Sequence, residues 1–398
     1  MLSEAKDTSE LMVDLAYAAV YFGDPEMAEE VSRLEDVMSD LIQDMRAVCI
    51  LAVRNPREAD AMSSVLQVIS AMERIANDAV DVGRIVTRRL GIPQELVADL
   101  SAAEEVSHRV LVRDGSHMAY RPLGALELPV ATGMRVMAIR RDQDWITDID
   151  GETILTPDDV LFLRGPPLGI VRLRELAAAS VWEPPQAPEG TGLTDLGRAV
   201  DALVEMKNIS EAAVGLAYSA LVLNDQGLAA EVRHLEDRLD GMKDRLELWV
   251  LRAAAENIDP SPLRGLLHLA EAAEDLGDQA QQMVWLIEKR EEVHPILGLA
   301  LGDSDDVVVK MPVAAGSLAD GATLAELELN IEPGYLVLAV ERAGRYVYRP
   351  QRSVQLLAGD ELIASGPEEG RSLLAARLGW SLIEDDHTGE VELLLMKG

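Results

Sequence analysis

Two hydrophobic patterns alternate along the chain. Over residues 9–90, apolar positions recur every three to four residues, as in Val31, Leu34, Val37, Met38, Leu41, Ile42 and Met45. That spacing predicts amphipathic helices, each burying one stripe. Gly23-Asp24-Pro25 and Asn55-Pro56 interrupt it, so about three helices joined by short loops are expected, as in an up-down bundle. Residues 106–167 instead read as short β-rich runs separated by turn residues, closed by a helical run over 168–179. The helical pattern returns over 210–291, with breaks at Asn224-Asp225 and around 259–262. The β pattern returns over 307–368, followed by a helical run over 368–378. A stretch rich in Pro, Glu and Gly, 182–192, joins the halves.

The two halves are copies of one unit. Glu30-Val31-Ser32-Arg33-Leu34-Glu35-Asp36 recurs as Glu231-Val232-Arg233-His234-Leu235-Glu236-Asp237, an offset of 201 residues. The same ungapped offset pairs Ser9 with Ser210, Tyr17 with Tyr218 and Glu73 with Glu274. It also pairs Gly133 with Gly334, Arg141 with Arg342 and Asp159 with Asp360. A shift constant from residue 9 to residue 167 is a tandem duplication.

Composition narrows what the unit can do. With 48% hydrophobic residues in 398 the chain buries a real core, so its net charge of −34 does not mean disorder. Of its 36 basic residues only Lys6, Lys207, Lys243, Lys289, Lys310 and Lys397 are lysine. Such a surface repels nucleic acid phosphates and anionic headgroups. It fits a high-salt cytoplasm, as in a halophilic archaeon, where screening tolerates self-repulsion. No run approaches the ~20 apolar residues of a membrane span, and residues 1–10 carry no signal pattern. A soluble, cytoplasmic protein without direct membrane insertion is expected. The single Cys49 excludes an internal disulfide framework. No Gly-x-Gly-x-x-Gly run follows a strand, so NAD is not expected. The six histidines are scattered and no nucleophile–base constellation occurs, so no enzyme is expected.

The residues themselves resemble two known families. Leu235-Glu236-Asp237-Arg238-Leu239-Asp240 and Glu274-Asp275-Leu276-Gly277-Asp278, with Leu34-Glu35-Asp36 and Glu73-Arg74-Ile75-Ala76-Asn77-Asp78 in copy one, are similar to the acidic helical runs of PhoU-type bundles. Leu324-Ala325-Glu326-Leu327-Glu328-Leu329, Gly334, 337–342 and Gly359-Asp360-Glu361-Leu362 resemble the C-terminal, ligand-sensing RCK-C domain of TrkA-type potassium uptake regulators. Copy one carries Leu126-Glu127-Leu128, Gly133, 136–141 and Asp158-Asp159-Val160-Leu161. The resemblance implies an α+β multidomain chain in which two PhoU-like up-down bundles alternate with two small RCK-C-like α/β sensor domains. Its expected boundaries are bundle 1–97, sensor 104–180, linker 181–193, bundle 194–298, sensor 304–380 and a C-terminal tail 381–398. It also implies a regulatory protein of potassium or other cation transport. The expected partner is a membrane channel or transporter subunit, which would hold the chain at the membrane periphery. The alternative is an adaptor in phosphate transport or signalling. The RCK-C domains should associate with one another, either as an intrachain pseudo-dimer or between two chains.

Two sets of site residues follow. Glu236/Asp240 and Glu274/Asp278 are i,i+4 pairs, so each lies on one helix face and together they offer hard oxygen ligands. A divalent or iron-type metal ion suits such a set. With 70 acidic residues, about 12 such pairs arise by chance on the same spacing rule. Their place in the family motif is what singles them out. Copy one offers the weaker set Glu35, Asp36, Asp40 and Glu73, with Ser39 and Asn77 at the matching ligand positions. In the RCK-C family the paired domains hold a ligand at their interface, cyclic di-AMP in some members. The candidates there are Asn330, Arg342 and Arg141, with Asn330 and Pro129 standing where many relatives carry Arg.

Overall fold

In the computed structural model the described residues are 1–101, 103–184, 194–255, 260–289, 293–302, 304–384 and 391–396. Copy one consists of helices α1 Leu2–Phe22, α2 Pro25–Ala52, α3 Pro56–Thr87 and α4 Gln94–Leu100, then strand β1 Val106–Leu111, helix α5 Leu128–Thr132, strands β2 Arg135–Arg141, β3 Asp144–Ile146 and β4 Val160–Gly165, and helix α6 Gly169–Leu176. Copy two follows as α7 Asp195–Leu223, α8 Gln226–Ala255, α9 Ser261–Glu288, α10 Ile296–Leu301, β5 Asp306–Pro312, α11 Leu324–Leu327, β6 Leu336–Arg342, β7 Arg345–Tyr348, β8 Glu361–Pro367 and α12 Arg371–Leu378. Strands β9 Trp380–Glu384 and β10 Val391–Leu395 close it.

Like packs with like. The contacts divide the chain into one unit of residues 1–108 and 183–304, and a second of 109–182 and 305–398. The first contains both helical bundles. The second contains both sheet domains.

In the helical unit the breaks fall where turn chemistry puts them. Gly23 ends α1 at φ 61, and Asp24 then caps α2 by accepting from the backbone N–H of Glu26 and Met27 at 3.1 and 3.2 Å. Copy two makes the same turn with Asn224, at φ 48, and Asp225. Within each copy the three long helices pack on one another, and α3 packs on α9 between copies. The short helices reach across the copies: α4 lies on α7, and α10 lies on α1 as well as on α7 of its own copy. These short helices, too brief to show a period, are the elements the hydrophobic pattern did not disclose. One consequence is that the expected boundary at 97 falls inside α4.

A buried polar seam repeats across this contact. Lys6 pairs with Glu10 at 2.9 Å and lies over the Tyr218 ring, while Lys207 pairs with Glu211 at 2.8 Å and lies over the Tyr17 ring. Both lysines are buried, and Ser9 Oγ lies 3.0 Å from the Tyr218 hydroxyl. Burial pushes both tyrosine hydroxyls up in pKa, so they stay protonated. Two of the six lysines thus serve reciprocal contacts between copies. Cys49 is a buried core residue of α2.

In the second unit each copy forms a four-stranded sheet, in the orders β1-β4-β2-β3 and β5-β8-β6-β7. Bulges fall at matching places in the two sheets, between Val136 and Ala138 and between Val337 and Ala339. The copy-two core gathers Val309, Met311, Tyr335, Leu362, Leu374 and Leu378. Residues 381–398, expected as a tail, instead begin with an antiparallel pairing of β9 and β10. Most of the expected linker, 185–193, lies outside the described residues.

The two sheet domains meet reciprocally. A Cβ on Gly133 would sit 2.1 Å from the Asn330 carbonyl oxygen, and one on Gly334 would sit 2.2 Å from that of Pro129. Positions 129 and 330 are equivalent, as are 133 and 334. Two backbones therefore touch twice, each time where a glycine stands. An Arg135–Asp306 ion pair, bidentate through Nη1 and Nη2, joins the same domains.

Candidate metal centre

Helices α8 and α9 pack side by side in copy two, and the two acidic pairs face one another there. Gly277 helps bring them close, since a Cβ at that position would meet Leu239 Cδ1 at 2.4 Å. Leu239 and Gly277 flank Asp240 and Asp278, so the tight approach falls at the level of the carboxylates. Copy one has Met38 and Ala76 at these places.

Three of the four expected ligands come together. Oxygens of Glu236, Asp240 and Asp278 lie within 4.8 Å of one another. Two oxygens on one cation, each bound at roughly 2.0–2.6 Å, are separated by no more than about 5 Å, so the spacing fits a shared ion. The fourth, Glu274, stands outside that group of three: it accepts from Lys243 Nζ at 2.6 Å, yet remains close enough to Asp240 and Asp278 to raise both. Gln281 Nε2 donates to Glu236 Oε2 at 3.1 Å and so orients that carboxylate.

The electrostatics show what the cluster lacks. Burial first, and then the charges of Asp240, Asp278, Asp237 and Glu274, push the Glu236 carboxyl up to about 7. Burial and Glu274 raise Asp240 and Asp278 as well, with the two aspartates repelling one another. Lys243 offsets part of this charge but is committed to Glu274. A hard divalent cation would neutralise the three oxygens directly.

Sequence reasoning overlooked a further carboxylate. Asp78 comes from α3 of the other copy, its Oδ2 buried with no hydrogen-bond partner among the described residues. Burial, then Asp275, Asp81 and Asp278, push it up to about 8 against the opposing pull of Arg74. Asp78 closes the acidic run Glu73-Arg74-Ile75-Ala76-Asn77-Asp78, so its motif was visible. The packing of α3 against α9, which sets it among the acidic residues of copy two, was not.

Copy one has a different arrangement. Ser39 Oγ donates to Glu35 at 3.0 Å, and Arg46 grips Glu73 with nitrogen–oxygen distances of 2.5 and 3.3 Å. Arg46 corresponds to Glu247, one helical turn beyond Lys243, so both copies neutralise the same glutamate from different turns. Among the described residues, Glu35, Asp36, Asp40 and Glu73 do not gather into a ligand group, and the copy-two cluster is the one such group. The reason is chemical. Serine and asparagine replace two of the carboxylates, and an arginine fork satisfies a third.

The sensor-side candidates are also placed. Arg141 donates from Nε and Nη2 to both oxygens of the buried Asp159 at 2.8 Å, and from Nη2 to the Ile154 carbonyl. Arg342 does the same with Asp360 at 2.7 and 2.6 Å and with the Gln355 carbonyl. Each pair clamps a turn to its sheet, and the hydrogen bonds hold both aspartates below the usual carboxylate range against the opposing effect of burial. Asn330 does lie at the interface between the sheet domains, where its carbonyl touches Gly133.

The carboxylate cluster sets a pH dependence. The folded pKa values of Glu236 and Asp78 lie above their ordinary values of 4.5 and 3.8. Between those values and about 7 and 8, the folded state binds more protons than the unfolded state, so stability falls as pH rises. Chelator-treated protein should therefore melt at a lower temperature at pH 8 than at pH 5. Asp159 and Asp360, held low, contribute equally across this range. Mn²⁺ should raise the melting temperature at pH 8 and have little effect at pH 5, where protons compete. A metal-free melting temperature that climbs from pH 5 to pH 8 would contradict the assignment.

Comparison with known proteins agrees with this architecture. The sequence matches the PhoU domain over residues 2–86 and 203–286, and the TrkA-C domain over 108–178 and 308–379. No curated protein matches the chain. Among solved structures, PhoU from Pseudomonas aeruginosa is similar at 15% identity and a TM-score of 0.39, covering 72% of this chain and 91% of that one. The GsuK RCK domain is similar at 17% identity and a TM-score of 0.18, covering 78% of each chain. The GsuK channel bound to NAD aligns at 16% identity and a TM-score of 0.19, over 80% of this chain and 65% of that one.

Proposed function

Because this chain carries the PhoU domain twice and the TrkA-C domain twice, its role is regulatory and linked to phosphate or potassium transport, and we propose that it is a non-enzymatic regulator of potassium or other cation transport. The observation that carries the reading is the reciprocal pair of TrkA-C domains within one chain, with Gly133 on Asn330 and Gly334 on Pro129. Such a pair has two halves whose relative orientation a ligand can bias. The bundle beside them in sequence would hold one divalent or iron-type ion on Glu236, Asp240 and Asp278, supplying positive charge to a cluster that otherwise repels itself. Among the described residues no helix is long and apolar enough to cross a membrane. The transport step therefore belongs to a membrane partner, a channel or transporter subunit.

Deleting the gene and growing the strain at limiting potassium and at limiting phosphate tests this directly. We expect slowed growth and altered potassium uptake at limiting potassium alone. A defect confined to limiting phosphate would assign the protein to phosphate transport or signalling instead. Normal growth in both would overturn both readings.

A further inference from the structure

In a chain with 70 acidic residues against 36 basic ones, four arginines converge on one cleft of the copy-one TrkA-C domain. Arg109 stands on β1, Arg140 on β2, Arg174 on α6, and Arg113 in the turn after β1. The cleft holds about 400 Å³, and among the described residues its walls include Leu111 and Val160 and no acidic residue. That volume is at the small-molecule end of ligand pockets.

The arginines are held in place. Arg174 Nε donates to the Ser180 carbonyl at 2.5 Å and Nη2 to Ser180 Oγ at 3.3 Å. Arg140 lies 5.9 Å from the Trp145 ring centroid and 5.8 Å from that of Phe162. Burial and the charge of Arg113 pull Arg174 below the usual guanidinium range, the mark of like charges crowded together.

Copy two carries different residues at the same place. Lys310, Ala314, Glu341 and Ala375 replace the four arginines. Lys310 is neutralised by Glu341 and Glu361, both at 2.8 Å. Where copy one has Ala179, copy two has Trp380, whose indole N–H donates to the Pro312 carbonyl at 2.5 Å and whose ring packs on the core. At matching positions one copy carries an ion-paired lysine and a tryptophan, and the other lines a cleft with guanidinium groups.

We propose that the cleft of the copy-one TrkA-C domain binds a small, multiply phosphorylated anion between Arg109, Arg113, Arg140 and Arg174, with Leu111 and Val160 against any apolar part of the ligand. Guanidinium forks match phosphate oxygens bidentately, and several phosphate charges are needed to compete with the chain's own carboxylates. None of its lining residues takes part in the glycine contacts between the two domains or in the acidic cluster.

The test is calorimetric titration of the full chain, treated with chelator, with pyrophosphate, ATP, inorganic phosphate and sulfate at low ionic strength. One saturable site per chain for pyrophosphate or ATP is expected, at least tenfold tighter than for sulfate. ATP binding more tightly than pyrophosphate would place a nucleoside on the apolar wall. Equal affinities would restrict recognition to the phosphates. Ala179→Trp, which installs the copy-two tryptophan, should abolish binding. Arg113→Ala with Arg174→Ala, the copy-two residues, should weaken it by about tenfold or more while leaving the far-ultraviolet spectrum unchanged, which keeps the test valid if the tryptophan variant misfolds. No saturable heat, sulfate binding as tightly as pyrophosphate, or an arginine double variant that binds like the parent would overturn the proposal.

Discussion

Gly133→Ala is expected to destabilise the paired sheet domains by about 2–5 kcal/mol. Two causes add. The residue sits at φ +69, where a Cβ costs about 1–2 kcal/mol. That Cβ would also lie 2.1 Å from the Asn330 carbonyl oxygen and 2.9 Å from Pro166 Cγ, and overpacking typically costs about 1–3 kcal/mol. The first of these neighbours is backbone, so no rotamer change relieves the clash and the two domains must move apart. Gly334→Ala should behave alike, because its Cβ would meet the Pro129 carbonyl oxygen at 2.2 Å. Gly344 is the internal control. It sits in the same unit at φ +75 with nothing within 4 Å, so its alanine variant should show the conformational cost alone. Urea unfolding of the three variants decides the matter. If Gly133→Ala costs no more than Gly344→Ala, the close contact between domains is not a constraint on the protein.

The second large effect concerns Asp278→Asn, which gives copy two the asparagine that copy one has at position 77. With metal at 100 times its Kd, the parent should gain about 2.7 kcal/mol over the metal-free form. The variant should lose nearly all of that gain, having lost one charged ligand of three. Without metal, at pH 8, the effect should reverse. The variant should then melt higher than the parent, since one of the mutually repelling charges is gone. Asp40→Asn in copy one should change neither quantity. Melting curves with and without Mn²⁺, together with bound metal measured by elemental analysis, read both signs. A variant that keeps the full Mn²⁺ response, or a parent with none, would remove the metal centre.

The two copies carry different sites on the same scaffold. The acidic cluster stands in the bundle of copy two, where Asp240 and Asp278 take the places of Ser39 and Asn77. The arginine cleft stands in the sheet domain of copy one, where Ala179 takes the place of Trp380. A dimer of identical single units could not separate these sites, because any substitution would appear in both halves. Duplication within one chain permits it.

Much of this was legible in the residues. The constant offset of 201 pointed to two like units, and each domain does occur twice, because a period is a property of the sequence alone. Helical and strand patterns separated the bundles from the sheet domains, since burial on one face leaves its period in the chain. The i,i+4 spacing placed Glu236 with Asp240 and Glu274 with Asp278, because helix geometry fixes which residues share a face. Only the tertiary structure decided the rest. That Glu274 accepts from Lys243 rather than completing the group of three depends on the facing helix, as does the burial of Asp78 by the other copy. That bundle pairs with bundle and sheet with sheet depends on contacts between residues some two hundred positions apart, to which a local pattern is blind. So does the meaning of the paired glycines: the sequence repeats them, but only the packing shows each pressed against the other domain's backbone. The four arginines are spread over some 65 residues and two strands, a turn and a helix. They form one cleft only because the sheet brings those elements together.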